Sequence, residues 1–347
     1  MPAMRSRLKT LTAAAVGCVL LSAAPAAADN EIGGGAQNPG SDSHASGNAD
    51  EDGTVSSTAS GIVYDRSKNG TGAKTGAVTP ATNWTPPACW YAPKYSPAQF
   101  KKYVEPIWQA ESTGSQWDLE QRKRYVDGGP YKNFNLDKAG EGYWWTSFSN
   151  DSYPPGWDAC KKPVFWVDKG DPPPADTPEA ITPEILAKLA YAEVRVPGTE
   201  VTLAPEGETK VNLPTWAWLD KAEFKPVSVT ASIPVLGIQA TTTAEPVSLK
   251  IDPGTKDAET YPASGVCPID ENGKIGEPYA KGKSKQDPPC GVKYLRSSGD
   301  GSYPLKATVT WKISWTGTGV NDPVGLPDGE FGADQEVVVE EIQAINR

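Results

Sequence analysis

The sequence is poor in the residues that most metal sites and catalytic triads require. It has a single histidine, His44, and no Cys-x-x-Cys pair. Triads that use histidine are excluded, because His44 lies in a stretch rich in small polar residues. A zinc site is disfavoured as well, since its ligands come mostly from paired cysteines and histidines. We therefore expect no metal ion and no cofactor, and we assign no catalytic residue.

Apolar runs long enough to cross a membrane are also missing. The longest stretch, Leu11–Ala24, is shorter than the roughly 20 residues that a spanning helix needs. Three basic residues precede it and an Ala-x-Ala motif follows at 26–28, which is the pattern of a cleaved secretory signal over residues 1–28. Cys18 offers an alternative, a lipid anchor, but the residues before it match a lipobox poorly. We predict a secreted, extracellular protein without a membrane span after signal cleavage.

Basic residues are scarce relative to acidic ones. The chain has 33 Lys and Arg against 43 Asp and Glu, and removal of residues 1–28 takes away three basic residues and no acidic one. The mature chain therefore carries a net charge of −13. A chain this acidic repels phosphate backbones, and no basic run with interleaved aromatic residues is present, so nucleic acid is not an expected partner.

Four cysteines remain in the mature chain, which is an even number and typical of disulfides in an exported protein. They allow three pairings. One bridge per domain is the simplest, with Cys89 joined to Cys160 and Cys267 joined to Cys290.

Composition divides the mature chain into four parts. Residues 29–80 are rich in Gly, Ser and Asn and predict a disordered spacer. Residues 81–169 carry eight of the twelve tryptophans and predict a small α+β domain with an aromatic core. One helix is expected there from Ser96-Pro97, with Pro106 kinking or ending it, and a second helix is a candidate over Trp117–Val126. Residues 170–178 form a Pro-rich linker, and residues 179–347 contain one helix and then a pattern of strands.

The Trp-rich segment holds the candidate binding residues. Trp144 and Trp145 are adjacent, so in a strand one would face inward and the other outward beside Tyr143. We therefore predict a contact surface for sugar or protein at Tyr143, Trp144 and Trp145. The same segment holds Asp118, Glu120 and Glu141, which could serve as the carboxylate pair of a glycan hydrolase. Their spacing singles out no pair, so solvated surface acids are the simpler interpretation.

Strand patterns dominate the C-terminal part. From Leu305 to Trp315 every second residue is apolar, which predicts a long strand with one buried and one solvated face, typical of an antiparallel sandwich. The segment Asp252–Gly301 is expected to be a long loop that a Cys267–Cys290 bridge would hold together. The predicted strands are Glu200–Ala204, Lys210–Leu219, Val227–Ile233, Gly237–Thr243, Val247–Ile251, Tyr303–Trp315 and Gln335–Ile345.

Several short motifs in this part resemble a known family. The stretch Gly301-Ser302-Tyr303-Pro304-Leu305 is similar to the Gly-x-Tyr-x-hydrophobic strand of PKD-type, immunoglobulin-like domains. Together with 213–220, 247–254 and 289–294, it resembles secreted actinobacterial (Streptomyces-like) proteins of uncharacterised function that contain a PKD-like domain. The family's Trp-Asp-x-Gly-Asp-Gly turn is replaced here by Ile251-Asp252-Pro253-Gly254. The resemblance implies an extracellular sandwich for adhesion, spacing or protein contact, and no defined activity.

A phosphate-binding loop is the last alternative. Gly282-Lys283-Ser284 matches the end of such a loop, but five residues separate Gly276 from Gly282 where the motif has four, and Pro288-Pro289 excludes the helix that should follow. We therefore predict a secreted, non-enzymatic binding or structural protein, with a surface protein or a cell-wall glycan as its partner. The alternatives are a glycan-directed hydrolase acting through the Trp-rich domain and, as a second alternative, a nucleotide-binding protein.

Overall fold

A computed structural model describes residues 54–56, 61–71, 74–109, 115–150, 157–219, 224–270, 274–283 and 286–342. The predicted signal peptide and most of the predicted spacer lie outside these residues. The described chain is mostly β, and nearly all of its strand pairs are antiparallel. The strands are β1 (Thr54–Ser56), β2 (Val63–Lys68), β3 (Gly76–Ala77), β4 (Thr79–Pro80), β5 (Cys89–Tyr95), β6 (Gly142–Ser149), β7 (Phe165–Asp168), β8 (Arg195–Val196), β9 (Thr202–Ala204), β10 (Glu208–Lys210), β11 (Pro214–Leu219), β12 (Val227–Ile233), β13 (Ile238–Asp252), β14 (Ala258–Tyr261), β15 (Val266–Pro268), β16 (Ile275–Gly276), β17 (Gly291–Tyr294), β18 (Tyr303–Gly317) and β19 (Val320–Glu340). The α-helices are α1 (Pro97–Gln109), α2 (Ser115–Tyr125) and α3 (Pro183–Glu193).

The larger sheet has the order β1-β2-β12-β13-β18-β19-β10, with β15 beside β13 and β4 beside β19. Strand β18 lies between β13 and β19, and its alternate residues Leu305, Ala307, Val309, Trp311, Ile313 and Trp315 are buried, whereas the residues between them are more exposed. The predicted alternation is therefore confirmed residue by residue. Strand β12 also has the predicted bounds, Val227–Ile233.

A second sheet has the order β14-β17-β11-β16, with β9 also paired to β11. Its inner face shares one hydrophobic core with the larger sheet, and the rings of Tyr294 and Tyr303 stack across the interface at 5.2 Å. The Cys267–Cys290 disulfide joins β15 of the larger sheet to the residue before β17 of the second sheet. The predicted bridge thus links the two layers of a sandwich-like arrangement.

The segment between Asp252 and Gly301 is not a loop, which corrects the expectation from sequence. It supplies β14, β15, β16 and β17, and three of these, β14, β16 and β17, belong to the second sheet together with β11. Each strand spans only two to four residues, too few to show a period of two in the sequence.

The last part of the predicted disordered spacer, before residue 80, already forms strands. The prediction of disorder is therefore wrong for this part. Strand β2 pairs with β12, and β4 pairs with β19. Arg66 holds this part in place, because its guanidinium forms an ion pair with Glu193 at the end of α3, with Nη2 at 2.9 Å from Oε2. These strands could not be predicted from the sequence, because their own residues are mostly polar and their partner strands lie more than a hundred residues away.

A third sheet, β5-β6-β7, carries the Trp-rich segment. Helices α1 and α2 cover one of its faces, and the other face joins the core that also contains α3 and the larger sheet. The Cys89–Cys160 bridge, the second of the predicted disulfides, closes this unit. Helix α1 continues past Pro106 to Gln109, so the proline does not end it; Pro106 is exposed, and the buried Trp108 holds the last turn against Phe134.

The linker at 170–178 does not separate two bodies. Thr177 is buried and accepts a hydrogen bond from Lys162 Nζ at 2.8 Å. Just after it, Tyr91 of β5 exchanges backbone hydrogen bonds with Glu179 and Ile181 at 3.0 and 2.8 Å. The chain therefore remains attached to the third sheet until α3 begins at Pro183.

Candidate functional site

The two predicted contact tryptophans are both buried. The exposed fraction is 0% for Trp144 and 3% for Trp145, so the expectation that one of them faces solvent is wrong. The reason is the position of β6, which is the central strand of a sheet covered on both faces. Inward and outward positions are then equally buried.

Trp144 forms the centre of the aromatic cluster under α1 and α2. Its Nε1 donates a hydrogen bond to the carbonyl oxygen of Phe134 at 3.1 Å. Four rings surround it at centroid distances of 4.6 to 5.5 Å, namely Phe100, Tyr125, Tyr131 and Trp166. This residue therefore has a structural role.

Tyr143 and Trp145 instead border a groove of about 590 Å³ between the third sheet and the tip of the β12–β13 hairpin. The floor is apolar, with Trp145, Val167 and Ile181 all at least nine-tenths buried. One wall is residues 168–173 and the other is residues 234–238.

The hairpin wall carries the exposed apolar residue of the groove. Val235 is 48% exposed, between Pro234 and Leu236, and the turn closes with Gly237 in a left-handed conformation at φ 65°. An apolar tip on a hairpin is unusual, because turns between strands normally carry polar residues. That signal, Pro-Val-Leu-Gly between two predicted strands, is visible in the sequence and was missed.

Charge lies at the opposite rim. Asp168 Oδ1 accepts hydrogen bonds from Trp166 Nε1 at 2.7 Å and from Lys138 Nζ at 3.3 Å. The hydrogen bond from the Trp166 indole, and to a smaller extent the one from Lys138, holds the pKa of the Asp168 carboxyl below its usual range. Asp168 is therefore ionised and hydrogen-bonded to Trp166 and Lys138. It can hold the residues of this rim in place, but it is not suited to donate a proton.

The three carboxylates of the hydrolase alternative lie outside the groove. Asp118 is buried on α2, whereas Glu120, two positions later, is exposed on another side of that helix. Glu141 precedes β6, and none of the three lines the groove.

The phosphate-loop alternative also lacks its context. Lys283 forms an ion pair with Glu277, and its ammonium lies 5.1 Å from the ring centre of Trp216. The described residues after it form no helix before β17, and Ser284 lies outside the described residues. Lys283 is thus engaged within the protein.

Searches for relatives returned nothing: no protein-family model, no curated protein and no solved structure matches this chain. Among the described residues, no three His, Cys, Asp or Glu side chains cluster as metal ligands. No helix in the described part of the chain has both the length and the apolar composition needed to cross a bilayer.

Proposed function

We propose that the chain is a secreted, non-enzymatic binding protein that captures a polypeptide at the cell surface through the groove beside Val235. The observation that carries this proposal is an exposed aliphatic tip facing an apolar floor across an open groove. Exposed apolar surface of this kind marks interaction sites in soluble proteins.

A polypeptide suits the groove better than a glycan. Half of the lining residues are aliphatic or proline, and Trp145 is 3% exposed. Sugar rings need an open aromatic face on which to stack, and Trp144 and Trp145 present none. Tyr143, which is half-buried, stays in the proposal as a wall of the groove.

The surrounding fold supports an extracellular role of the kind that the family resemblance implies. Two antiparallel sheets joined by a buried disulfide are what an immunoglobulin-type, PKD-like domain would present. Disulfides persist mainly in oxidising compartments outside the cytosol. Both observations favour a scaffold whose loops and grooves make contacts.

Site-specific photo-crosslinking tests the proposal. The photoreactive residue p-benzoylphenylalanine is placed at Val235 in the mature chain, and at Val324 in a matched control, because the two valines are 48% and 44% exposed. Each protein is irradiated on intact cells of the source organism. We expect a discrete, protease-sensitive adduct from position 235 only.

Two outcomes count against the proposal. A product that is resistant to protease but released by a muramidase would identify a wall glycan as the partner. Equal labelling from both positions, or none from position 235, would show that the groove is not the contact surface.

A further inference from the structure

Strand β19 leaves part of the edge of the larger sheet without a partner. On the side away from β18 it pairs with β4 at Gly329–Glu330 and with β10 at Val338–Glu340. Between these pairings, residues 331–337 have no strand partner on that side within the described chain. This open edge is separate from the groove beside Val235.

The backbone groups on the open edge belong to even-numbered residues. Val338 N–H donates to Gly207 at 3.4 Å and the Glu340 carbonyl accepts from Val211 at 2.9 Å, both away from β18. The register with β18 is unbroken from Gly329 to Val337. Because successive residues of an antiparallel strand direct their backbone groups to opposite sides, those of Asp334 and Glu336 face the open edge.

A cavity of about 650 Å³ lies beside this edge. Phe331, Ala333 and Gln335 line it from β19, on the face that continues into the buried core. Val201, just before β9, and Leu203, within β9, are both buried and line it from the other side. An added strand would therefore find space for the side chains that it directs to that face.

One polar group in this cavity lacks a partner. The Oε1 atom of Gln335 is buried and accepts no hydrogen bond in the described structure, although the residue stands opposite Leu305 in the register of the sheet. A buried acceptor without a donor is unfavourable, so Gln335 is a weak point in the packing beside the open edge.

Acidic side chains flank the open edge on both faces. Glu206 is exposed at the cavity, where Lys74 forms an ion pair with Glu200, and Asp334 and Glu336 are exposed on the opposite face of β19, with Lys306 of β18 opposite Asp334 in the register. The side chains of Asp334 and Glu336 lie on the solvated face, where a neighbouring strand would place its outward residues. Opposite charges facing each other across adjacent strands are favourable.

We propose that this edge binds an extended, basic segment of another polypeptide by strand addition. The segment would pair with the backbone of Asp334 and Glu336, direct alternate side chains into the cavity and place lysine or arginine opposite the acidic residues. Edge pairing supplies affinity in such complexes, and the pockets supply selectivity. The charges on Asp334 and Glu336 also discourage uncontrolled pairing of the edge.

An array of synthetic heptapeptides tests the proposal on the mature chain. In each peptide, residues directed into the cavity (Val, Leu, Thr or Ser) alternate with residues directed outward. The outward residues are Lys in one set and Glu in a second set. A third set repeats the Lys peptides with N-methyl groups on the amides that face the edge. We expect binding by Lys peptides and a loss of roughly tenfold or more on N-methylation, as removal of two backbone hydrogen bonds implies. Binding that ignores either the charge or the N-methyl groups would overturn the proposal, as would no binding at all.

Variants at a single position provide the matched control. Asp334→Pro removes an N–H that the fold does not use, at an edge position where proline is tolerated, and should abolish peptide binding. Asp334→Asn keeps the N–H and should retain binding to the Lys peptides at reduced affinity. Circular dichroism checks that both variants fold. If Asp334→Pro does not fold, the N-methyl comparison on the unchanged protein decides whether backbone pairing carries the binding. Self-association of the protein without peptide binding would mean that a second copy occupies the edge, which contradicts this proposal.

Discussion

Trp144 shows how one residue can hold a whole layer of the molecule. Its ring contacts residues from α1, α2 and β7, and its indole N–H satisfies a carbonyl in the turn at Phe134. Phe134 itself has a left-handed backbone, with φ 56°, which is strained for an aromatic residue and needs such support.

Trp144→Ala should lower the free energy of unfolding by about 3–5 kcal/mol, because it leaves a large cavity and an unpaired carbonyl. Trp144→Phe keeps most of the packing and should cost less than half as much. Guanidinium titrations of the two variants against the unchanged protein measure both values. Similar stability of Trp144→Ala and the unchanged protein would contradict the structural role.

Asp168 gives a prediction for pH dependence. Its pKa is lowered in the folded state, first by Trp166 Nε1 and then by Lys138, so it stabilises the fold only while ionised. That contribution is fully present above the ordinary value of about 3.8 and is lost as the pH falls through the lower folded value.

Asp168→Asn should therefore reduce the urea midpoint slightly near neutral pH, and the difference should shrink once the pH falls below about 3.8. The effect is small because the carboxylate is partly exposed. Urea titrations at a series of pH values measure it. A difference that persists unchanged in acid would mean that Asp168 acts through packing instead of charge.

At the scale of elements, β7 shows how a sheet edge is closed by side chains. Tyr125 donates to the Val164 carbonyl at 2.9 Å, and the Tyr131 hydroxyl accepts from Trp166 N–H at 3.2 Å. The two rings lie parallel, at a centroid distance of 6.0 Å. This edge is therefore capped, in contrast to the open stretch of β19.

Strand β18 offers a paired test of the alternation. Val309 is fully buried and Thr310, its neighbour, lies on the other face. Val309→Thr should cost about 1–3 kcal/mol, since it buries a hydroxyl without a partner, whereas Thr310→Val should change stability by no more than about 0.5 kcal/mol. Chemical denaturation of both variants checks the difference, and equal effects would contradict the assigned faces.

Strands with a clear period of two could be predicted from the sequence, as β12 and β18 show. Those that depend on distant partners could not. The two strands predicted on either side of Pro246 are in fact one strand, β13. A bulge between Pro246 and Ser248 accommodates the proline within it. Likewise β19 was predicted to begin at Gln335 but begins at Val320, since pairing with β18 imposes strand geometry on a stretch containing two prolines.

At the scale of the whole molecule, one core joins the Trp-rich unit to the sheets. Trp145 and Phe165 of the third sheet belong to the same buried cluster as Leu186 of α3 and Val229 of the larger sheet. The two predicted domains therefore share a core, and the groove exists only where they meet. This explains why the groove could not be predicted: its walls come from three separate parts of the sequence.

A shared core predicts cooperative unfolding. Calorimetry of the protein lacking residues 1–28 should show one main transition that includes both parts. Replacing Cys89 and Cys160 with serine, which opens a bridge spanning 71 residues, should shift that transition as a whole, at a cost of about 2–5 kcal/mol. The same replacement at Cys267 and Cys290 is the matched control, since it opens the other bridge and leaves Cys89–Cys160 intact. A separate, earlier transition of the Trp-rich unit in the unchanged protein would contradict the shared core.

The central claim is that the groove beside Val235 is the binding surface, and a pair of matched substitutions tests it most directly. Fluorescently labelled mature protein is titrated onto intact cells of the source organism, and Val235→Asp is compared with Val324→Asp at a valine of similar exposure. A charge at the centre of an apolar contact should weaken binding by about tenfold or more, while the control stays within about twofold of the unchanged protein. Equal affinities for the two variants, or no saturable binding by the unchanged protein, would contradict the account.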